Sequence, residues 1–376
     1  MDANLIAVAI FVVLMALFLY KNRKKLSVTG LFPILYVFMY RGKHGIKLMN
    51  TWAKKWGKCL RITGVIGIII GFIGMIFVCF QIVYNIYQIL IYPAATSGVQ
   101  LVLPFEAKGV FYVPFIYWIL AIFVVALVHE FSHGLFVRAY KIPVLSTGMA
   151  FLGAIVPIIP AAFVEPDEKK FNKFSLRAKL SMLAAGPFAN IVLGFVIILL
   201  LIPAAPVVGS FYSNDGVNVV QLAPDGPADK IGMAGGEIIH NMDGIDIITT
   251  QDFKDFLSEK KKGDIIKLET DQGTFDVALE EKSDEAYIGI FLQQNTKLKE
   301  GKNEILASVL SWIYGLFMWI YLLSLGIGLF NLLPMGPLDG GRMLKEILGV
   351  KRKKLFLFVS WFFFIIIVFS VGVGFF

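Results

Sequence analysis

The chain has 376 residues, 57% of them hydrophobic and only 16% charged, with a mean hydropathy of +0.74. Soluble domains carry about 25% charged residues, so the composition excludes an ordinary soluble protein and points to an α-helical polytopic membrane protein. The net charge of +8 flanks apolar runs and reads as membrane-surface charge rather than a nucleic-acid footprint, while two cysteines, Cys59 and Cys79, make neither a disulfide framework nor a thiolate zinc site and read as packed thiols.

Taken in chain order, residues 4–20 are apolar and run into a basic cluster beginning at Lys21. No basic residue precedes them, so they lack the first region of a cleaved signal peptide and read as a first span with its N-terminus outside. Residues 26–40 are too short and too broken by Gly30 and Pro33 to span; they are expected to lie at the interface or to re-enter. Residues 62–92 form a long second span and 113–137 a third. Residues 144–164 are apolar but hold Gly148, Gly153, Pro157 and Pro160, which argues against a straight helix. Residues 180–202, 309–333 and 355–376 complete six expected spans.

Charge orients them. Residues 21–61 hold eleven Lys/Arg and no acid, which places that segment in the cytoplasm by the positive-inside rule. Alternation then puts 93–112 and 203–308 outside, and 138–179 and 334–354 inside. The last two carry their own basic clusters, including Lys351, Arg352, Lys353 and Lys354. The expected localisation is a multi-pass cell-membrane protein, with the bilayer as its first partner and no nucleic acid.

Residues 209–302 differ in kind. They hold 18 acidic and 10 basic residues, net −8, leaving +16 on the rest of the chain. Short alternating runs and one helix expected over residues 251–260 predict an extracytoplasmic α/β module. Its stretch from Pro224 to Ile247 resembles the PDZ family, with Glu237 where that family commonly has Asp. The resemblance implies capture of an extended peptide tail at a sheet edge; a plain spacer that excludes large substrates is the alternative. The chain thus divides into an N-terminal membrane region (1–112), a membrane core in two parts (113–208 and 303–376) and the module (209–302).

The chemistry sits at His129-Glu130-Phe131-Ser132-His133, within the third span. Four residues is about one helical turn, so both imidazoles share a face and the glutamate lies one step round. Ionisable clusters inside a span are expensive and normally functional. A catalytic zinc ion wants three protein ligands and an open position, so a third ligand must come from elsewhere. Outside the module the acids are Asp2, Glu106, Glu130, Glu165, Asp167, Glu168, Glu304, Asp339 and Glu346. Asp2, Glu106 and Glu304 fall on the wrong side, and Glu165, Asp167 and Glu168 read as solvated among lysines. Asp339, in the stretch from Asn331 to Arg342, fits best, and Glu346 stays open. His44 and His240 read as ordinary.

HEFSH in one span, N-x-x-P-x-x-P-L-D-G after a later one and a PDZ-like insert between them resemble the site-2 protease family of membrane-embedded zinc proteases. Two further stretches match: Gly186-Pro187-Phe188-Ala189-Asn190 is similar to the family's GP-x-x-N helix motif, and residues 159–164 to its broken membrane hairpin. The resemblance covers about residues 113–350 and says nothing of 1–112. It implies His129, His133 and Asp339 as ligands to one zinc ion and Glu130 as general base. It also implies that Asn331 positions the substrate, and that the substrates are transmembrane segments of other proteins. Two other classes compete: an inactive scaffold that binds peptide tails through the module, and a metal transporter. An intact glutamate between the histidines argues against the first, and the scarcity of polar residues in spans one, two and six against the second.

Overall fold

The computed structural model describes residues 3–31, 35–92, 97–153, 159–282 and 285–375. It separates into two compact units, one comprising residues up to Leu201 and from Gly315, the other Ile202–Tyr314. In chain order the elements are α1 (Ala3–Asn22), β1 (Leu26–Leu31), β2 (Leu35–Gly42), α2 (Ile46–Ile91), β3 (Leu101–Leu103), β4 (Val110–Tyr112), α3 (Phe115–Ala139), β5 (Val144–Gly153), β6 (Ile159–Pro166), the short α4 (Glu168–Phe171) and α5 (Leu176–Gly209). The second unit follows with β7 (Tyr212–Leu222), α6 (Pro227–Lys230), β8 (Ile238–Met242), β9 (Ile245–Asp246), α7 (Thr250–Ser258), β10 (Ile265–Thr270), β11 (Thr274–Ala278), β12 (Glu280–Lys282), β13 (Glu285–Tyr287) and β14 (Ile290–Leu298). Then come α8 (Glu304–Asn331), α9 (Asp339–Leu348) and α10 (Lys353–Phe375).

Among the described residues, six helical segments are long and apolar enough to cross a membrane; they correspond to α1, α2, α3, α5, α8 and α10. Their exposed faces are dense in large apolar side chains, among them Ile62, Ile69, Ile73 and Ile76 on α2, which is the composition that lipid rather than water tolerates. Helix α2 begins sixteen residues before the apolar run at 62. Its 46 residues make a rod of about 70 Å, far longer than a bilayer core of about 30 Å.

What holds the helices of the first unit together is small-residue packing. Gly64, Gly67, Gly71 and Gly74 recur every three or four residues of α2 and are all buried. A Cβ at 64 would overlap Ser181 of α5, one at 67 would sit 3.4 Å from the Phe188 ring, and one at 74 would sit 2.6 Å from Leu332. A membrane has no hydrophobic force between helices, so close backbone approach replaces it. The glycine stripe thereby draws α5 and the turn after α8 onto α2. Buried Met75, Phe136, Met182, Leu183, Leu332 and Met343 fill the junction.

The segments expected to be irregular are strands. Residues 26–31 and 35–42 form a hairpin, and 144–153 and 159–166 another. Both belong to one antiparallel sheet of order β1-β2-β5-β6, with Tyr36 opposite Gly153 and Gly42 opposite Thr147. The tips of both hairpins, Pro33 and Pro157 included, fall outside the described residues. Strand β6 is an edge of this sheet and lies along α3. Cys79 is half-buried, but Cys59 is exposed, which corrects the expectation that both thiols are packed.

In the second unit the sheet order is β11-β10-β8-β7-β14, with β9 on β8 and β12 paired with β13 alone. Its core is Val217, Val219, Ile239, Met242, Ile266 and Leu268, with Phe253 and Phe256 from α7 closing it. Helix α7 starts on a capping box, in which Thr249 accepts from the Asp252 N–H and Asp252 accepts from the Thr249 N–H. Glu237, the departure from the common Asp, is buried and satisfied: it accepts from the Ala234 N–H at 2.8 Å and the Thr270 hydroxyl at 2.9 Å.

Candidate metal centre

Three elements converge on the candidate site. Helix α3 supplies His129, buried, and His133 one turn on, with Glu130 between them. The first residue of α9 supplies Asp339. The Gly-Gly pair after Asp339 has a steric cause. A Cβ at 340 would overlap the Leu332 carbonyl and one at 341 the Met335 carbonyl, so α9 can fold back beneath the end of α8 only through glycine. Asp339 then sits in the first helical turn of α9.

The geometry is tight. His129 Nε2 and Asp339 Oδ2 are 3.1 Å apart, His133 Nε2 and Asp339 Oδ2 3.2 Å, and the two Nε2 atoms 3.1 Å. In a tetrahedral zinc site with bonds of about 2.0–2.1 Å, ligand atoms lie roughly 3.3–3.4 Å from one another. Three lone-pair atoms facing one point at this spacing is an arrangement that one shared cation satisfies. The side-chain donor set of two imidazoles and one carboxylate, leaving a position open, is of the kind used by catalytic zinc. Among the described residues these three form the group able to hold a metal ion.

Helix α5 orients the imidazoles. The Nδ1–H of His133 donates to the Met182 carbonyl at 2.9 Å, which leaves Nε2 as the lone pair facing the site. One turn along, Gly186 lets α5 approach, since a Cβ there would overlap both Nε2 atoms. A further turn along, the Asn190 amide lies 3.2 Å from His129 Nδ1. Asn190 is fully buried, and its Oδ1 has no partner. With the amide turned so that Oδ1 faces Nδ1, that orphaned oxygen accepts the Nδ1–H, and Nε2 of His129 is likewise freed for a metal.

Glu130 is held from the sheet. Its Oε2 accepts the Val164 N–H of β6 at 3.1 Å. Beside it opens a cavity of about 330 Å³ whose walls include Glu130, Phe163, Val164, Asn331, Asp339 and Arg342. The expected substrate-positioning residue Asn331 therefore faces the same cavity as the three candidate ligands. The other acids left by the sequence are engaged elsewhere. Glu346 pairs with Lys179 at 3.0 Å, Glu165 with Arg41 at 3.4 Å, and Glu168 with Arg342 at 3.3 Å, while Asp167 accepts the Lys170 N–H.

Four participants were not read from the sequence: the Met182 carbonyl, the Asn190 amide as partner of His129, the Val164 N–H and Arg342. Asn190, Val164 and Arg342 each lay in a stretch the sequence singled out, the GP-x-x-N motif, the hairpin at 159–164 and the segment from Asn331 to Arg342, but without these roles; the Met182 carbonyl had no signal.

Residues 117–372 match the family described as peptidase family M50. An uncharacterized protein of Methanocaldococcus jannaschii is 31% identical over 231 residues, covering 61% of this chain and 56% of that protein, so the chain spans little more than half of this relative. Among solved structures, the PDZ domain of an SdrC-like protein from Listeria monocytogenes is 32% identical, with 21% of this chain and 87% of that one covered and a TM-score of 0.20. The PDZ domain of the Listeria innocua SdrC-like protein is 29% identical, with 22% and 97% covered and a TM-score of 0.20.

Proposed function

Since the chain belongs to peptidase family M50, a membrane metalloprotease family of the site-2 type, we propose that it is a zinc endopeptidase that hydrolyses peptide bonds within or near transmembrane helices of other membrane proteins. The observation that carries the reading is the approach of His129, His133 and Asp339 to within 3.1–3.2 Å of one another, with Glu130 on the adjoining wall. Zinc, held by those three side chains, would supply a Lewis acid that acidifies a water molecule and polarises the scissile carbonyl.

The remaining work belongs to the chain. Glu130 is the general base: its carboxylate takes a proton from water and returns it to the leaving amine. The Val164 N–H fixes that carboxylate by occupying one oxygen. Asn331 is proposed to hold the substrate backbone from the same cavity.

A transmembrane helix hides its amides, so cleavage needs local unwinding, and unsatisfied backbone groups in lipid oppose that. Strand β6 offers replacement partners. It is an edge strand, and Phe163 and Val164 line the cavity. An extended substrate segment added to that edge would recover hydrogen bonds as it leaves its helix. In this reading the site lies toward the cytoplasmic face, the second unit is extracytoplasmic, and its capture of a peptide tail rests on the sequence resemblance alone.

The test is Glu130→Gln in purified protein with a model transmembrane substrate. Cleavage should disappear while metal content stays at one zinc per chain. Full turnover in this variant would remove Glu130 from the role of base, and an absence of bound metal in the wild type would remove the reading altogether.

A further inference from the structure

The early turns of α2 and the C-terminal end of α3 line an open pocket of about 660 Å³, separate from the metal centre. Its lining includes Lys54, Lys55, Lys58, Arg61, Arg138 and Lys141, and no acid. None of the six forms an ion pair with a carboxylate among the described residues. Lys54, Lys58 and Arg61 recur at helical spacing on one stripe of α2, where like charges repel. No acidic side chain in the pocket wall offsets that repulsion.

Two of the cations are fixed in place. Arg61 Nη1 donates to the Ala139 carbonyl and Arg138 Nη1 to the Ile142 carbonyl, each at 3.1 Å. The Nε donor of Arg138 is buried with no acceptor, and Asn50 Oδ1, also on the wall, is a buried acceptor with no donor. A ligand carrying anionic oxygens matches the cationic side chains of that wall.

The depth of the pocket selects its source. On the same turns Trp52 and Trp56 are 45% and 53% exposed, and immediately beyond them the helix presents exposed Ile62, Ile66 and Ile69. Exposed tryptophans interleaved with a basic stretch that runs directly into an apolar one mark the membrane–water boundary, where lipid phosphates lie. We infer that this pocket binds the phosphoryl headgroup of an anionic phospholipid, bracing α2 against the end of α3 that follows His133. The inference does not depend on the protease reading.

The experiment titrates the full-length protein, in uncharged detergent, with phosphatidylglycerol, phosphatidylcholine or inorganic phosphate and counts bound molecules by native mass spectrometry. The triple variant Lys54→Gln, Lys58→Gln, Lys141→Gln is compared with Lys351→Gln, Arg352→Gln, Lys354→Gln, which removes equal charge from another basic segment. The wild type should prefer phosphatidylglycerol to phosphatidylcholine at least tenfold. That preference should be lost in the first variant and kept within about twofold in the second. Equal losses in both variants, no preference between the lipids, or displacement of phosphatidylglycerol by equimolar inorganic phosphate would each overturn the proposal. A measurement without substitution guards against misfolding: Cys59 is exposed on the pocket wall, so phosphatidylglycerol should slow its alkylation by a water-soluble maleimide and phosphatidylcholine should not. Equal alkylation rates with the two lipids would count against the site.

Discussion

His129 and His133 present Nε2 to one point only because each Nδ1 has a partner on α5. For His133 that partner is a backbone carbonyl, which no side-chain substitution removes. For His129 it is the Asn190 amide, which makes Asn190 testable. Partners of this kind commonly contribute 10–100-fold to metal affinity. Asn190→Ala should weaken zinc binding by roughly that factor in a chelator competition, whereas Asn190→Asp, which keeps an acceptor, should retain most of it. Equal affinity in the alanine variant would show that the amide only fills space. The histidines and Glu130 were legible in the sequence because one turn of helix relates them. Elimination among few acids favoured Asp339 but left Glu346 open, and the family resemblance pointed to Asp339. Asn190 could not be assigned its partner, because an amide in an apolar helix says nothing about a residue 61 positions away.

Among the elements, β6 carries the most specific expectation. Side chains and amides alternate along a strand, so the Ala162 N–H points to the same outer edge as that of Val164, away from β5. Val164 is occupied by Glu130 and Pro160 has no N–H, which leaves Ala162, two residues before cavity-lining Val164, as the next outward donor on this edge. Ala162→Pro should therefore leave metal content and the β5 pairing intact. It should slow cleavage of a transmembrane substrate about fivefold, the equivalent of one net hydrogen bond of ~1 kcal/mol. Unchanged kcat/KM would exclude strand addition at this edge. The hairpins themselves were visible in the sequence only as segments too broken for a spanning helix. Their pairing joins Tyr36 to Gly153 across more than a hundred residues, and no local pattern encodes that register.

At the scale of the whole molecule, the second compact unit carries an acid response of its own. In the second unit the Lys260 ammonium, with help from the Lys267 N–H, holds the Asp243 carboxyl below its usual range. The Thr249 N–H and hydroxyl do the same for Asp252. A carboxyl whose folded value lies below its unfolded one stabilises the fold above about pH 4, and that contribution is lost as pH falls through the folded value. Hydrogen exchange of the full chain, corrected for intrinsic rates, should show β8, α7 and β10 losing protection between about pH 4 and pH 2. Asp243→Asn should flatten that dependence. A loss centred near neutral pH would contradict the assignment.

The sequence by itself determined the quantities that depend on composition and short spacing. These are six apolar segments, an acidic module between two of them, a paired-histidine helix and a small set of acids. Each follows from helical period or from the cost of charge in lipid, and needs no knowledge of which segments touch. Only the tertiary structure decided what depends on segments distant in the chain approaching closely. The α2 glycine stripe seats α5, Gly186 admits α5 to the imidazoles, Gly340 and Gly341 fold Asp339 beneath α8, and the first hairpin joins the sheet whose edge strand holds Glu130. Close approach is a property of pairs of surfaces, and a single chain read in order shows each surface without its partner.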